Sequence, residues 1–147
     1  MEDSLKIPNI DLLEECIELL NEGKTVLLTA KGDSMLPFIR DREKIILQKA
    51  ETYRRGDIVL ARTDNGTTVL HRIIRIGNGT ATLMGDRNLR KKEKCPSSGI
   101  KGKVISISGK RGIRLTSSWR HRFLSWIWLS MLPVRKILVK ITDTICR

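Results

Sequence analysis

The first pattern along the chain is that of a helix. Between residues 9 and 22, polar and charged positions separate apolar residues that recur every three or four places: Ile10, Leu13, Ile17 and Leu20. This spacing places the apolar side chains on one face of a helix. Gly23 follows at a position where glycine commonly ends a helix. The pattern therefore predicts an amphipathic helix that packs on the body of the protein.

From residue 25 onward the pattern becomes that of β-strands. Seven short segments are rich in Ile, Leu, Val and Thr, and they cover residues 25–30, 43–48, 57–62, 68–76, 80–84, 103–108 and 113–117. Two connections carry residues that tolerate positive φ at a hairpin turn, Asp64-Asn65-Gly66 and Gly77-Asn78-Gly79. Residues 86–102 mix like charges with Pro and Gly, which predicts a surface loop. The fold class is therefore predicted to be mainly β.

The last thirty residues form a different kind of segment. Residues 123–134 contain no charge, and basic residues flank them on both sides. A bilayer-spanning helix needs about 20 such residues, so this segment is too short to cross as a simple helix. Tryptophans beside basic residues are typical of a helix that lies flat on anionic lipid: Trp119, Trp126 and Trp128. Pro133 would interrupt or kink that helix, and the alternative is that the same face packs against the domain or a partner subunit.

These patterns divide the chain into three predicted parts. They are an N-terminal amphipathic helix (1–24), a β-domain (25–117) and a basic, tryptophan-containing amphipathic helical tail (118–147). A chain of 147 residues suits one domain with such an appendage.

Charge changes the picture of the partners. The formal net charge is +12, yet residues 1–30 hold seven acids against two lysines, which leaves +17 on the remainder. This asymmetry indicates an anionic partner or a membrane surface that the basic tail, residues 119–147, would contact. Nucleic acid is the less favoured partner. No helix-turn-helix precedes the strands, and the tryptophans cluster in the tail instead of alternating with basic residues on a sheet face.

Cysteines and histidines predict neither a disulfide framework nor a metal site. The three cysteines are far apart and lack CxxC spacing, and the two histidines do not complete a ligand set. We therefore expect no metal and no cofactor. The N-terminus opens with acids and carries no secretory signal pattern, so we expect a cytoplasmic or peripheral membrane location.

Four short motifs carry the chemistry of the sequence. In chain order they are GDSMLP (32–37), RGDIVLA (55–61), VLHRII (69–74) and LMGDRN (83–88). Together they resemble the type I signal peptidase family, S24/S26-like serine peptidases that share a β-fold with LexA-like repressor peptidases. The resemblance covers about residues 25–108. His71 stands where most bacterial members have a lysine, which points to the histidine-base version of archaea and the endoplasmic reticulum.

The resemblance implies a role for three side chains. Ser34 would be the nucleophile, His71 the general base and Asp86 the acid that orients the imidazole, with the backbone N–H of Ser34 as oxyanion donor. The implied activity is that of a serine endopeptidase that cleaves a leader or signal-like peptide. Its partner would be an extended peptide or preprotein with small side chains next to the cleaved bond.

The sequence departs from the family pattern at three places. An amphipathic helix stands where members usually have a transmembrane segment, and Gly32 cannot supply the hydroxyl that some relatives place near the oxyanion. A second aspartate after Asp86 is absent, and only Glu93 could substitute. Two alternatives stay open: a non-catalytic β-module that binds an anionic membrane or a peptide, and a LexA-like self-cleaving switch. The switch is less favoured because His71 replaces the expected lysine and no DNA-binding domain is present.

Overall fold

The computed structural model describes residues 10–87, 91–131, 140–141 and 144–145. In chain order its elements are α1 (Ile10–Asn21), β1 (Val26–Thr29), β2 (Lys44–Gln48), β3 (Ile58–Arg62), β4 (Thr68–Gly77), β5 (Thr80–Met84), β6 (Lys92–Pro96), a 3-10 turn (Ser97–Gly99), β7 (Ile100–Gly109), β8 (Gly112–Leu115) and α2 (Trp119–Ser130). Strands dominate between one N-terminal and one C-terminal helix, which confirms the prediction of a mainly β fold.

All strand pairs in the sheet are antiparallel. The order is β1-β2-β7-β3-β4-β5-β6, and β8 pairs with the second half of β7. The long strand β7 pairs with β2 on one side, while its other side pairs first with β3 and then with β8. Strands β4, β5 and β6 therefore lie side by side at one end of the sheet, where β4 and β6 carry two residues of the candidate site, His71 and Glu93.

The alternation of side chains across the sheet produces two separate hydrophobic clusters. On β3, Ile58 and Leu60 belong to one cluster, while Val59 and Ala61 belong to the other. The first cluster also contains Leu20 of α1, which is fully buried. Because a strand buried on both faces has no polar side to expose, β3 appears in the sequence as an uninterrupted apolar run.

Helix α1 ends as its sequence predicts. Gly23 has φ of +82°, its N–H donates to the Leu20 carbonyl, and the N–H of Lys24 donates to the Leu19 carbonyl. These two bonds satisfy carbonyls that the end of the helix would leave free. The turn between β4 and β5 is also confirmed, because Asn78 and Gly79 both have positive φ, as a two-residue hairpin loop of type I′ requires.

The predicted surface loop over residues 86–102 is wrong for most of its length. It contains β6, the 3-10 turn and the beginning of β7. In β6 the alternation is present, but exposed lysines alternate with Glu93 and the buried Cys95. A charged residue on the inward side removed the apolar periodicity that would have marked a strand.

Helix α2 packs against the domain through one of its faces. Ser118 caps its N-terminus by accepting a hydrogen bond from the His121 N–H, and Ser125 and Leu129 are buried. Trp119 and Trp126 do not belong to this buried face, so the alternative that their face packs against the domain is not what the helix shows. The outer face exposes Trp119 and other apolar side chains, and its contact with a membrane stays a prediction.

The described helices include none that is both long and apolar enough to cross a bilayer. Pro133 lies outside the described residues, as does most of the chain after Met131. The division of the chain into three parts also stays a prediction.

Candidate active site

Ser34 lies on a loop that joins β1 to β2. Gly32, with φ of +91°, opens the loop and donates its N–H to Oδ1 of Asp41 at 2.9 Å. Backbone bonds from Phe38 and Ile39 to the Met35 carbonyl close a tight turn after the serine. Because Met35 and Ile39 are buried in the core, the loop holds Ser34 in a fixed position although it belongs to no helix or strand.

His71 lies in the middle of β4, where only 3% of it is exposed. Its Nδ1 is 2.5 Å from Oε2 of Glu93, an inward side chain of β6. Its other ring nitrogen, Nε2, is buried and has no hydrogen-bond partner among the described residues. The imidazole is therefore fixed on one side by a carboxylate, and the opposite nitrogen has unused hydrogen-bonding capacity.

Gly85 shows how close the serine and the histidine are. A Cβ atom placed on Gly85 would lie 3.3 Å from His71 Nε2, 3.3 Å from Ser34 Cβ and 2.9 Å from the Ser34 carbonyl oxygen. Since both atoms lie 3.3 Å from the same point, the distance between Nε2 and the serine Cβ is at most twice 3.3 Å. The Arg87 N–H also donates to the Ser34 carbonyl at 2.9 Å, which ties the serine loop to the segment after β5. The structure thus brings together the predicted nucleophile and the predicted base.

The third predicted residue, Asp86, forms no hydrogen bond or ion pair with His71. Its two carboxylate oxygens accept hydrogen bonds from Nε and Nη2 of Arg72, at 2.7 and 2.8 Å. The physical reason is the alternation of side chains along a strand, since residues next to each other point to opposite faces. Arg72 follows His71 on β4, so the side chain of Arg72 lies on the other face. Asp86, in a bend just after the end of β5, bonds to Arg72 there. In this geometry the carboxylate beside the imidazole is that of Glu93, while Asp86 bonds to Arg72, and the role of Asp86 as the orienting acid stays a prediction.

The ion pair of Arg72 and Asp86 is completely buried, since their side chains are each 1% exposed. Arg72 Nη1 also donates to the Gly56 carbonyl and to Ser125 Oγ, both at 2.8 Å. The guanidinium carbon lies 4.5 Å from the centre of the Phe38 ring, on its face. Arg72 therefore connects strand β4 to helix α2 and to the loop that carries Ser34.

His121 of α2 packs edge-on against Phe38, with ring centroids 5.4 Å apart. Burial, together with the positive charges of Arg72 and Arg114, lowers the pKa of His121 to about 4. This histidine is therefore neutral near pH 7. It lies on the face of the sheet that carries Arg72, and it takes no part in the cluster around Ser34.

The backbone N–H of Ser34 donates to no acceptor among the described residues. A small cavity of about 10 Å³ adjoins the serine, lined by Ala30, Lys31, Gly32, Ser34, Met35, Ile39 and Leu70. A free N–H next to a nucleophile is the arrangement that an oxyanion requires. No three His, Cys, Asp or Glu side chains in the described ranges lie close enough together to hold a metal ion.

Residues 2–105 match the family model described as Peptidase S24-like. This match covers well over half of the chain and contains Ser34, His71, Gly85 and Glu93. Helix α2 lies outside it.

Proposed function

The chain belongs to the S24-like peptidase family, and from that premise we propose that it is a serine endopeptidase in which Ser34 attacks the scissile carbonyl. The observation that carries the proposal is the buried, unpartnered Nε2 of His71 beside Ser34. A buried polar atom without a partner costs free energy, so such atoms are rare unless a substrate or a catalytic step uses them.

Glu93 determines which nitrogen of His71 is the base. With the Nδ1–H donated to the Glu93 carboxylate, Nε2 carries the free lone pair. The same carboxylate stabilises the imidazolium that forms when Nε2 accepts a proton. Glu93 is therefore the positioning residue, in the role that the sequence had given to Asp86.

The reaction then proceeds in two stages. Nε2 takes the Ser34 hydroxyl proton while Oγ bonds to the carbonyl carbon, and the resulting oxyanion accepts a hydrogen bond from the Ser34 N–H. The C–N bond breaks as His71 returns the proton to the leaving amine. A water molecule next gives its proton to His71 and attacks the acyl group, and the proton passes back to Oγ when the ester bond breaks.

The small cavity beside Ser34 supports a preference for small side chains. At about 10 Å³, the cavity has room for roughly one water molecule. An alanine, glycine or serine before the scissile bond fits this space, whereas a leucine does not. Strand β1 is an edge of the sheet and leads directly into the serine loop, so an extended peptide can add to it as a further strand. A leader or signal-like peptide, of the kind cleaved by histidine-type signal peptidases, has both features.

The test is cleavage of a diverse peptide pool, followed by mass spectrometry. We expect cuts after small residues with the wild-type protein, none with Ser34→Ala or His71→Ala, and rates about 10²- to 10⁴-fold lower with Glu93→Gln. Ser98→Ala, a change at an exposed serine, is the matched control and should cut as the wild type does. If wild type, Ser34→Ala and His71→Ala leave the pool equally intact, the domain acts as a non-catalytic peptide-binding module instead.

A further inference from the structure

The exposed large apolar side chains are concentrated at the C-terminal end of the described structure. Five of them form what we call the outer face, which runs along β8 and the solvent side of α2: Ile113, Leu115, Trp119, Phe123 and Trp126. Trp119 is 76% exposed and Trp126 is 61% exposed. The rings of Phe123 and Trp126 stack at a centroid distance of 6.4 Å. An apolar surface of this kind usually marks a binding site.

A groove of about 670 Å³ adjoins the outer face. Leu115 and Trp126 belong to its lining, together with four cations that we call the basic rim: Arg54, Arg55, Lys103 and Arg122. The lining contains one acid, Asp57, whose carboxylate accepts a hydrogen bond from the Arg54 N–H. Apolar and cationic surfaces therefore meet along one side of α2.

The stretch of sequence that contains β8 and α2 has no acidic residue of its own. Residues 94–142 contain eleven lysines and arginines and no Asp or Glu: Lys94, Lys101, Lys103, Lys110, Arg111, Arg114, Arg120, Arg122, Arg135, Lys136 and Lys140. Glu43 is the acid that pairs with Arg111 and Arg114 from elsewhere in the chain. The surface thus complements a partner of negative charge.

We propose that the outer face and the basic rim dock on the surface of an anionic lipid bilayer. The tryptophan and phenylalanine rings enter the level of the head groups, while the basic rim lies against the lipid phosphates. The exposed aliphatic residues favour a membrane over nucleic acid as the partner of this surface. Ile113 and Leu115 gain nothing from stacked bases, whereas the acyl boundary of a bilayer removes them from water. This surface uses no residue of the proposed catalytic cluster.

The test uses the full chain and two kinds of vesicle, pure phosphatidylcholine and an equimolar mixture with phosphatidylglycerol. All three tryptophans lie in α2, so their fluorescence reports on this helix directly. We expect co-sedimentation and a blue shift with the mixed vesicles, both weakening as salt is raised, and neither with pure phosphatidylcholine.

Two double variants separate the apolar from the ionic contribution. Leu115→Ser with Phe123→Ser should abolish the blue shift, and Lys103→Gln with Arg122→Gln should weaken binding about fivefold for each cation removed. Leu27→Ser, at a side chain 59% exposed on β1, is the matched control and should bind as the wild type does. Urea midpoints close to that of the wild type show that each variant is folded.

Three results would overturn the proposal. One is equal binding to both kinds of vesicle, or to neither at low salt. Another is mixed-vesicle binding that both double variants retain unchanged. The third is tighter binding to a DNA duplex of mixed sequence than to the mixed vesicles, unaffected by the Leu115 and Phe123 changes, which would assign the basic surface to nucleic acid.

Discussion

Replacing Asp86 with alanine would remove both oxygens that accept hydrogen bonds from Arg72. The guanidinium would remain charged and inaccessible to solvent, since Arg72 is 0% exposed. Its bonds to the Gly56 carbonyl and to Ser125 would persist, but neither supplies a negative charge. Removal of one partner from a buried ion pair costs about 3–5 kcal/mol, and we expect Asp86→Ala to lose that much free energy of unfolding.

Urea denaturation followed by two signals measures this loss. Far-UV circular dichroism reports mainly on the sheet, and tryptophan fluorescence reports on α2. The comparison variant is Glu93→Ala. Its partner His71 can remain neutral, so no permanent charge is left unpaired, and we expect a smaller loss of about 1 kcal/mol. The two acids should thus separate, because one mainly supports stability and the other mainly supports catalysis.

A double variant provides the internal check. Replacing both Arg72 and Asp86 by apolar residues of similar size, Arg72→Met with Asp86→Leu, removes the stranded charge and should recover much of the loss. The recovery is incomplete because Gly56 and Ser125 also lose a donor. The reasoning is refuted if Asp86→Ala costs less than about 1 kcal/mol, or if the double variant is as unstable as Asp86→Ala alone.

Three further predictions follow from single contacts. Gly85→Ala would place a methyl group 2.9 Å from the backbone oxygen of the nucleophilic serine, so peptidase kcat/KM should fall at least tenfold. The control is Gly77→Ala, whose added methyl group would meet no atom within 4 Å, and it should change neither kcat/KM nor the urea midpoint. Burial and the Arg72 charge lower the pKa of His121 to about 4, so the unfolded chain binds a proton there more readily than the folded one. The free energy of unfolding should therefore decrease as the pH falls from about 6.5 to 4, by on the order of 2 kcal/mol once solvent screening is allowed for. Thermal melting at a series of pH values measures this decrease, and His121→Gln should make it smaller. Ser125→Ala removes a side-chain acceptor of Arg72, and a loss of about 1–2 kcal/mol in urea would check its role; an unchanged midpoint would contradict it.

The parts of the fold that sequence predicted well depend on local chemistry. The end of α1 at Gly23 and the turn at Asn78 and Gly79 need positive φ, which few other residues adopt without strain. Strand β6 could not be recognised in this way. Its inward position Glu93 is charged, and the reason for that charge is a histidine on β4, two strands away.

The candidate site shows the same limit. Ser34 and His71 could be proposed from motifs, but the acid could not be chosen from spacing alone. Asp86 lies beyond the end of β5, and its carboxylate bonds to Arg72, whose side chain points to the opposite face of β4 from that of His71. The pairing register of β4, β5 and β6 decides the matter. That register depends on strand contacts between residues far apart in the chain, which no short motif contains.

The same alternation connects the two surfaces of the molecule. On β4, His71 faces the candidate site and its neighbour Arg72 faces α2, where it holds Ser125. Phe38 lies four residues after Ser34 and contacts Arg72 as well as the rings of His121 and Trp128. A shift of α2 on a bilayer would therefore have to be accommodated by Arg72, the immediate neighbour of the base, and by Phe38, a residue of the serine loop. For this reason the peptidase assay should use the full chain, with and without anionic vesicles, since a chain without α2 would leave the charge of Arg72 partly uncovered.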